Sequence, residues 1–194
     1  MNVKVGVLAL QGAFAAHSDC LQSLGCDTVE VRLPSDLEHV DALVMPGGES
    51  STMSQLLLSS GLFGAIEQRI TDGMAVFGTC AGMILLASEI LDGRPDQRSF
   101  SAIDISVRRN AFGRQIDSFE ATVSTAVGDF HGVFIRAPRI ERVGHGVEVV
   151  GELNGEPVLV RQQHVLAASF HPELAGDARM HQYFLENMTS LGKV

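Results

Sequence analysis

Short apolar segments alternate with stretches of helical periodicity through the first 90 residues, and this alternation restricts the fold more than any other feature of the sequence. Strand-like segments, which are apolar or β-branched, occupy residues 3–10, 28–33, 42–45 and 75–77. Apolar residues at helical spacing occupy residues 14–24, 52–58, 62–72 and 81–87. Such alternation is typical of βαβ units around a parallel sheet, so we predict an α/β fold.

The pattern changes after a polar loop at residues 92–96, because strand-like segments then follow one another without long helices. They occupy residues 103–107, 119–123, 133–135, 147–153, 157–161 and 165–168. An Asn-Gly pair at 154–155 is typical of a tight hairpin, so we expect antiparallel strands that extend a mostly parallel sheet. A last helix over residues 178–188 carries an apolar stripe and is expected to serve packing only. No linker divides the chain, so residues 1–194 are predicted to form a single domain.

The acidic composition of the chain narrows the functions it can have. A net charge of −9 leaves no broad basic face for a nucleic acid. No apolar stretch approaches the ~20 residues that a membrane span requires, and the N-terminus lacks the pattern of a signal peptide. Three cysteines, an odd number without framework spacing, fit a reducing compartment, so a cytoplasmic location is expected. No metal-binding or phosphate-binding motif is present, and we expect neither a metal nor a cofactor.

Cys80 stands at the junction between a predicted strand and a predicted helix, flanked by Gly78 and Gly82 in the segment AVFGTCAGMILLA. This is the thiol version of the G-x-S-x-G elbow, in which small neighbours let a strained turn expose a nucleophile. A helix N-terminus also favours the thiolate form of a cysteine. Lone cysteines are often buried core residues, so this segment alone leaves a nucleophile and a structural thiol as equal alternatives. Cys20 and Cys26 lack this setting and are predicted to be structural.

His171 and Glu173 follow the last predicted strand in the segment SFHPE. Residues two apart in an extended chain point to the same side, and Pro172 restricts its predecessor to extended conformations, so the two side chains are expected to project together. An imidazole oriented by a carboxylate is a suitable base for a cysteine nucleophile. Most histidines are surface or hydrogen-bonded structural residues, which is the interpretation given to the other six, at positions 17, 39, 131, 145, 164 and 181.

Three motifs together resemble those of a known enzyme family. PGGES at 46–50, FGTCAG at 77–82 and SFHPE at 169–173 look like the motifs of class I glutamine amidotransferases. Further segments resemble the glutaminase subunits of pyridoxal 5'-phosphate synthases: VLALQGAFAAH at 7–17, PGGESSTM at 46–53, RRNAFGRQIDSFE at 108–120 and FIRAP at 134–138. The resemblance covers nearly the whole chain, although the loop at 92–101 carries no family signal.

The resemblance implies a three-layer α/β glutaminase sandwich that hydrolyses glutamine through a γ-glutamyl thioester. Cys80, His171 and Glu173 would then form the catalytic triad. The backbone N–H groups of Gly48 and Ala81 would form the oxyanion hole. The pocket for the glutamine zwitterion would be formed by Gly48, Glu49, Ser50, Arg109 in preference to Arg108, Ile135 and Arg136.

Gln11, in the turn after the first strand, matches an LQG element of the family near the oxyanion region. The resemblance implies that it changes conformation when the partner docks, and a buried structural amide is the alternative. The implied partner is a separate (β/α)₈-barrel synthase that receives the ammonia and assembles pyridoxal phosphate. This chain has no phosphate loop of its own, so the phosphate chemistry is expected on the partner.

Three other functions remain as alternatives. A glutaminase subunit of another biosynthetic amidotransferase, such as one serving histidine synthesis, would keep the triad but differ in the segments at 108–120 and 134–138. A non-catalytic binding module would lack the triad, and a cysteine peptidase on a similar scaffold would lack the zwitterion pocket.

Overall fold

A computed structural model describes residues 3–109 and 118–188, and its elements follow the alternation predicted for an α/β chain. The strands in these residues are β1 (Lys4–Leu8), β2 (Asp27–Val31), β3 (Ala42–Met45), β4 (Ala75–Thr79), β5 (Ala87–Ile90), β6 (Ile103–Arg108), β7 (Ser118–Thr125), β8 (Phe130–Ile135), β9 (Arg139–Val143), β10 (Glu148–Leu153), β11 (Glu156–Gln162) and β12 (Val165–Ala168). The α-helices are α1 (Phe14–Ser23), α2 (Ser50–Ser59), α3 (Leu62–Thr71), α4 (Ala81–Leu86) and α5 (Arg179–Met188). Short 3₁₀ helices occupy Pro34–His39 and Pro172–Leu174.

The central sheet has nine strands in the order β2-β1-β3-β4-β12-β11-β10-β7-β8. The first five strands of this order are parallel to one another. The remaining four pair antiparallel, beginning with β11 against β12. The predicted fold class, a parallel sheet with an antiparallel extension, is therefore confirmed.

Two apolar cores lie on opposite faces of the central sheet and create three layers. In β3, Leu43 and Met45 belong to one core, whereas Ala42 and Val44 belong to the other, as the two-residue period of a strand requires. The first core is completed by residues of α2, α3 and α4, and the second by residues of α1 and α5. Because β3 is apolar on both faces, its sequence is a continuous apolar run.

A second, three-stranded sheet in the order β5-β6-β9 contains the main error of the sequence prediction. The predicted helix over residues 81–87 ends at Leu86, and β5 begins at once. Leu85 and Leu86 instead present their carbonyl groups to the backbone N–H groups of Phe100 and Ala102. The strand β9 was missed because three of the five residues in its sequence, RIERV, are charged.

Other differences concern the ends of elements. The predicted polar connection before β3 is a 3₁₀ helix, and α2 begins two residues before the predicted start. The second difference arises because Glu49 caps the helix, accepting hydrogen bonds from the backbone N–H groups of Ser51 and Thr52. Within residues 3–109 and 118–188, no helix is both long and apolar enough to cross a membrane.

The topology brings the predicted motifs to one edge of the sheet. The PGGES segment follows β3, Cys80 follows β4, and SFHPE follows β12, and these three strands are neighbours in the parallel part of the sheet. The carboxyl ends of parallel strands lie along the same edge, where ligands of α/β proteins bind. Segments separated by up to about 120 residues in sequence are therefore adjacent at that edge.

Candidate active site

Cys80 adopts a strained backbone conformation between β4 and α4. Its φ is 50° and its ψ is −105°, a conformation that is costly for a non-glycine residue and is held by its surroundings. Its N–H donates to the carbonyl oxygen of Ala168 at 2.8 Å, which extends the β4–β12 pairing to Cys80. A Cβ atom on Gly82 would lie 2.1 Å from the carbonyl oxygen of Met45, so glycine is needed for the helix to pack this closely on β3. The packing of α4 against β3 therefore explains why position 82 is a glycine.

His171 lies against Cys80, and Glu173 fixes its orientation. The Nδ1 atom of His171 is 2.8 Å from Oε1 of Glu173, and the pair is buried. The backbone N–H of His171 donates to the carbonyl oxygen of Val133 in β8 at 2.8 Å. On the other side the ring packs on Gly47, where a Cβ atom would lie 2.3 Å from Cε1. The imidazole is therefore held on three sides.

The expectation that His171 and Glu173 project together from an extended segment needs correction. Residues Pro172–Leu174 form a 3₁₀ turn, and His171 is the residue before it. Proline favours the first position of a helical turn because its missing N–H has no partner there anyway. The carboxylate therefore reaches back to the imidazole within one turn.

The electrostatics of the pair favour charge on both groups. Burial alone would lower the pKa of His171, but hydrogen bonds with the Cys80 sulfur and Glu173 outweigh it and raise that pKa to about 10. Burial alone would raise the pKa of Glu173, but the hydrogen bond to His171 and the histidines nearby hold it below its usual value. At neutral pH the His171 imidazolium and the Glu173 carboxylate thus form a charged pair beside the Cys80 sulfur.

A pocket of about 290 Å³ opens beside Cys80 and His171. Its wall includes every residue predicted for the glutamine site: Gly48, Glu49, Ser50, Arg109, Ile135 and Arg136. Ala81, the predicted second oxyanion donor, is the buried first residue of α4, directly after Cys80. The structure therefore brings the predicted residues together around one pocket.

Glu49 and Arg109, of opposite charge, pair with each other across this pocket. Nη2 of Arg109 donates to Oε1 of Glu49 at 2.8 Å. The hydroxyl groups and N–H groups of Ser51 and Thr52 also donate to the Glu49 carboxylate. Burial opposes the charge of Glu49, but these hydrogen bonds lower its pKa to about 2. Glu49 therefore carries a fixed negative charge and Arg109 a fixed positive charge at the pocket.

Gln97 hydrogen-bonds two residues of the pocket wall, a role that the sequence did not reveal. Its Nε2 donates to Oγ of Ser50 at 3.0 Å, and its Oε1 accepts from Nη1 of Arg109 at 3.0 Å. It lies in the loop at 92–101, which matched no motif. Because both partners are distant in sequence, no local pattern marks Gln97.

The two arginine segments end in different environments. Arg108 pairs with Glu141 at 3.1 Å on the second sheet, which agrees with the preference for Arg109. Arg136 has a φ of 43° and lines the pocket, and within residues 3–109 and 118–188 no hydrogen bond or ion pair holds its guanidinium. The carbonyl oxygen of Ile135 lies 3.9 Å from Sγ of Cys80. The remainder of the RRNAFGRQIDSFE segment, residues 110–117, falls outside the described residues.

Gln11 contacts the glycine turn. Its Oε1 accepts a hydrogen bond from the backbone N–H of Glu49 at 3.0 Å, next to Gly48. The side chain therefore fixes the turn that carries one predicted oxyanion donor. A conformational change of Gln11 on partner docking stays a prediction.

Comparison with known proteins identifies the family. The profile of the SNO glutamine amidotransferase family matches residues 7–190. The chain belongs to this family. The class I glutamine amidotransferase motifs found in the sequence therefore reflect common descent, and the predicted relationship is confirmed.

Relatives within the family are similar along nearly their whole length. The chain is 56% identical over 190 residues to pyridoxal 5'-phosphate synthase subunit PdxT of Salinispora arenicola, with 94% of each chain covered. It is 54% identical over 188 residues to the PdxT of Thermus thermophilus, with 96% of this chain and 98% of the relative covered. A crystal structure of a glutamine amidotransferase superposes with a TM-score of 0.89 at 52% identity, covering 94% of this chain and 97% of the other.

Two histidines interpreted as structural lie directly behind the candidate triad of this family member. His17 in α1 and His181 in α5 are both fully buried, and they contact each other. His17 also approaches Glu173. The last helix, expected to serve packing only, therefore also brings a polar group near the site. Each histidine was interpreted separately, so the contact between His17 and His181, which lie 164 positions apart in sequence, was not predicted.

Cys20 and Cys26 fit the structural interpretation given to them. Both are half-buried free thiols outside the pocket, and burial raises the pKa of each. Within the described residues no group of three or more His, Cys, Asp or Glu side chains is arranged to hold a metal ion.

Proposed function

We propose that this chain is the glutaminase subunit of a pyridoxal 5'-phosphate synthase and supplies the synthase subunit with ammonia from L-glutamine. One observation carries the proposal: Cys80, His171 and Glu173 meet beside a pocket walled by fixed opposite charges. Relatives at 51–56% identity are named as PdxT subunits of that synthase, which supports the pathway. Glutamine presents an ammonium, a carboxylate and a reactive amide, and the pocket has groups for each.

Catalysis begins with attack of the Cys80 thiolate on the side-chain amide carbon of glutamine. The negative charge that forms on the amide oxygen is stabilised by the N–H groups of Gly48 and Ala81. His171, as imidazolium, then gives a proton to the amide nitrogen, the C–N bond breaks, and ammonia leaves. The γ-glutamyl group remains on the sulfur as a thioester.

Hydrolysis of the thioester regenerates the enzyme. His171, now neutral, takes a proton from a water molecule, whose oxygen attacks the thioester carbon. The C–S bond breaks, glutamate leaves, and the sulfur and imidazole return to the thiolate–imidazolium pair. Glu173 stays ionised throughout, because it stabilises the imidazolium and does not itself take the proton.

The pocket charges determine how glutamine is held. Arg136, whose guanidinium is unpaired among the described residues, is proposed to bind the substrate carboxylate together with Arg109. The negative charge of Glu49 favours the substrate ammonium near the glycine turn. The oxygens of Glu49 already accept hydrogen bonds from the protein. Glu49 therefore attracts the substrate ammonium through its negative charge rather than through a direct hydrogen bond.

The partner in this proposal is a (β/α)₈-barrel synthase, which carries the phosphate chemistry. The chain acts as one glutaminase domain, since both cores pack on the same central sheet. A cytoplasmic location is part of the proposal, and three free thiols support it. No cofactor is required for the steps above.

Complex formation is expected to activate the glutaminase. Steady-state ammonia release should be slow for the isolated chain and faster with the synthase subunit, and the mixture should form pyridoxal phosphate from glutamine. Equal ammonia release with and without the synthase would contradict the activation. Formation of pyridoxal phosphate from added ammonium salt but not from glutamine would contradict the proposed function, because it would show an active synthase without a working glutaminase.

Gln97→Leu is expected to weaken glutamine binding selectively. The change removes hydrogen bonds to Ser50 and Arg109, each worth about 1 kcal/mol, so KM should rise roughly 5- to 20-fold while kcat changes less than about twofold. Gln55→Leu is the matched control, because Gln55 hydrogen-bonds Asp96 of the same loop but no described residue of the pocket wall. A rise in KM of equal size in both variants would contradict a specific role for Gln97.

A further inference from the structure

A fully buried histidine stands behind the acidic member of the triad. His17 lies in α1 with no exposed surface. Its Nε2 atom is 3.3 Å from Oε2 of Glu173 and 3.2 Å from Oγ1 of Thr79, at the end of β4. Its Nδ1 atom is 2.8 Å from Nε2 of His181 in α5. Three separate elements thus converge on the imidazole of His17.

The protonation state of His17 follows from its surroundings. Burial lowers its pKa to about 4 and lowers the pKa of His181 to about 3, so both rings are neutral at neutral pH. A neutral imidazole carries one N–H and one bare nitrogen. The question is therefore which nitrogen of His17 carries the proton.

The negative charge of Glu173 determines which neutral tautomer His17 adopts. An ionised carboxylate only accepts hydrogen bonds, so a bare Nε2 on His17 would place two lone pairs against each other in a buried space. With the proton on Nε2, the N–H lies between Oγ1 of Thr79 and Oε2, and Oε2 is a buried atom that has no hydrogen bond in the described part of the chain. The Nδ1 atom is then an acceptor, and His181 donates its Nε2–H to it.

We propose that His17 is a positioning residue for the glutaminase reaction: its Nε2–H, backed by His181, holds the second oxygen of Glu173 so that the first stays aimed at His171. The inference rests on the proposed function. His17 does not line the pocket, so it acts through Glu173 and not on glutamine. The chain of contacts runs from Cys80 through His171, Glu173 and His17 to His181.

The titratable groups that face Glu173 come from several elements. His171 lies on the same turn, His17 and Cys20 come from α1, and His181 comes from α5. The charge of Glu173 raises the pKa of Cys20, although burial is the larger cause. The kinetic test therefore uses a Cys20→Ala background, in which ionisation of Cys20 does not affect the pH profile.

The test compares His17→Leu with His17→Gln in the complex with the synthase subunit. His17→Leu removes the donor and should lower kcat about 10- to 100-fold, as loss of a supporting hydrogen bond does at other sites, with KM within about twofold. The amide of His17→Gln restores a donor and should recover kcat to within about threefold. His164→Leu is the control, since His164 hydrogen-bonds the Ile70 carbonyl far from the triad.

A pH profile separates positioning from structural support. Without His17 the carboxylate stabilises the imidazolium less, so His171 should lose its proton at lower pH. The alkaline limb of the kcat–pH profile, where His171 loses the proton that it gives to the amide nitrogen, should then move to lower pH in His17→Leu, return in His17→Gln, and stay in place in His164→Leu. A parallel loss of thermal stability and kcat with no shift of this limb would overturn the inference, as would unchanged kcat in His17→Leu.

A measurement on the unsubstituted chain covers the case in which His17→Leu fails to fold. Nitrogen NMR of ¹⁵N-histidine-labelled protein distinguishes the two neutral tautomers, with His17→Gln to assign the signal. We expect His17 to carry its proton on Nε2 near pH 7, and the Nδ1–H tautomer would overturn the inference. Failure of the proposed function would differ, because the complex of the unsubstituted chain would then release no ammonia from glutamine.

Discussion

Replacing Cys80 by alanine is expected to abolish the glutaminase activity of the complex, lowering kcat by about 10⁴-fold or more. In the proposed mechanism the sulfur makes and breaks the covalent bond to the γ-glutamyl group, and among the described residues Cys80 is the only thiol in the pocket wall. Ammonia release from glutamine measures the effect. Synthesis of pyridoxal phosphate from an ammonium salt should persist in the same complex, because that reaction bypasses the glutaminase.

Cys20→Ala and Cys26→Ala are matched controls for Cys80→Ala. Both thiols are half-buried and lie outside the pocket, so each variant should retain activity within about twofold. Mass spectrometry after treatment with a glutamine-analogue electrophile should place the label on Cys80. A label on Cys20 or Cys26, or none in the presence of the synthase, would contradict the assignment of the nucleophile.

His171→Ala is expected to lower kcat by roughly 10³- to 10⁴-fold and to change how Cys80 responds to pH. In the unsubstituted chain the pKa of His171 is raised to about 10, so its cation persists from neutral pH to that value and is lost above it. Alkylation of Cys80 should therefore vary little between about pH 7 and 9. Without the cation, the rate should climb across the range in which ordinary thiols ionise, about pH 8–9.

His131→Ala is the control for this pH experiment. His131 pairs with Glu120 on the surface at 3.0 Å and does not contact the triad, so its loss should leave the profile flat. A profile in His171→Ala that is as flat as that of the unsubstituted chain would show that another group provides the positive charge.

The residues of the candidate triad could be predicted because each of the two motifs that carry them is local in sequence. The Cys80 elbow requires small residues on both sides, and the contacts of Gly82 explain this in atomic terms. The parallel strands were predicted from the alternation of strand-like and helical segments, and β3 and β4 are buried along their whole length as such strands require. Such signals can be recognised in a single sequence.

The residues that sequence reasoning missed act through long-range contacts. Gln97 meets a serine 47 positions before it, and His17 meets His181 164 positions after it. Neither contact produces a periodicity or a motif spacing in the sequence. Strand β9 was missed for another reason: three of its five residues are charged, and only Ile140 is buried in the core.

The position of the pocket within the sheet separates rigid from adaptable parts. Cys80 and His171 follow β4 and β12, which pair with each other in the middle of the nine-stranded sheet. Any motion that separates these two strands must break four register pairs. Ile135 and Arg136 follow β8, the outermost strand, where local opening costs least. A protein pressing on that margin would reshape the substrate wall and, through the hydrogen bond from the His171 N–H to the Val133 carbonyl, would also reach the segment that carries the imidazole.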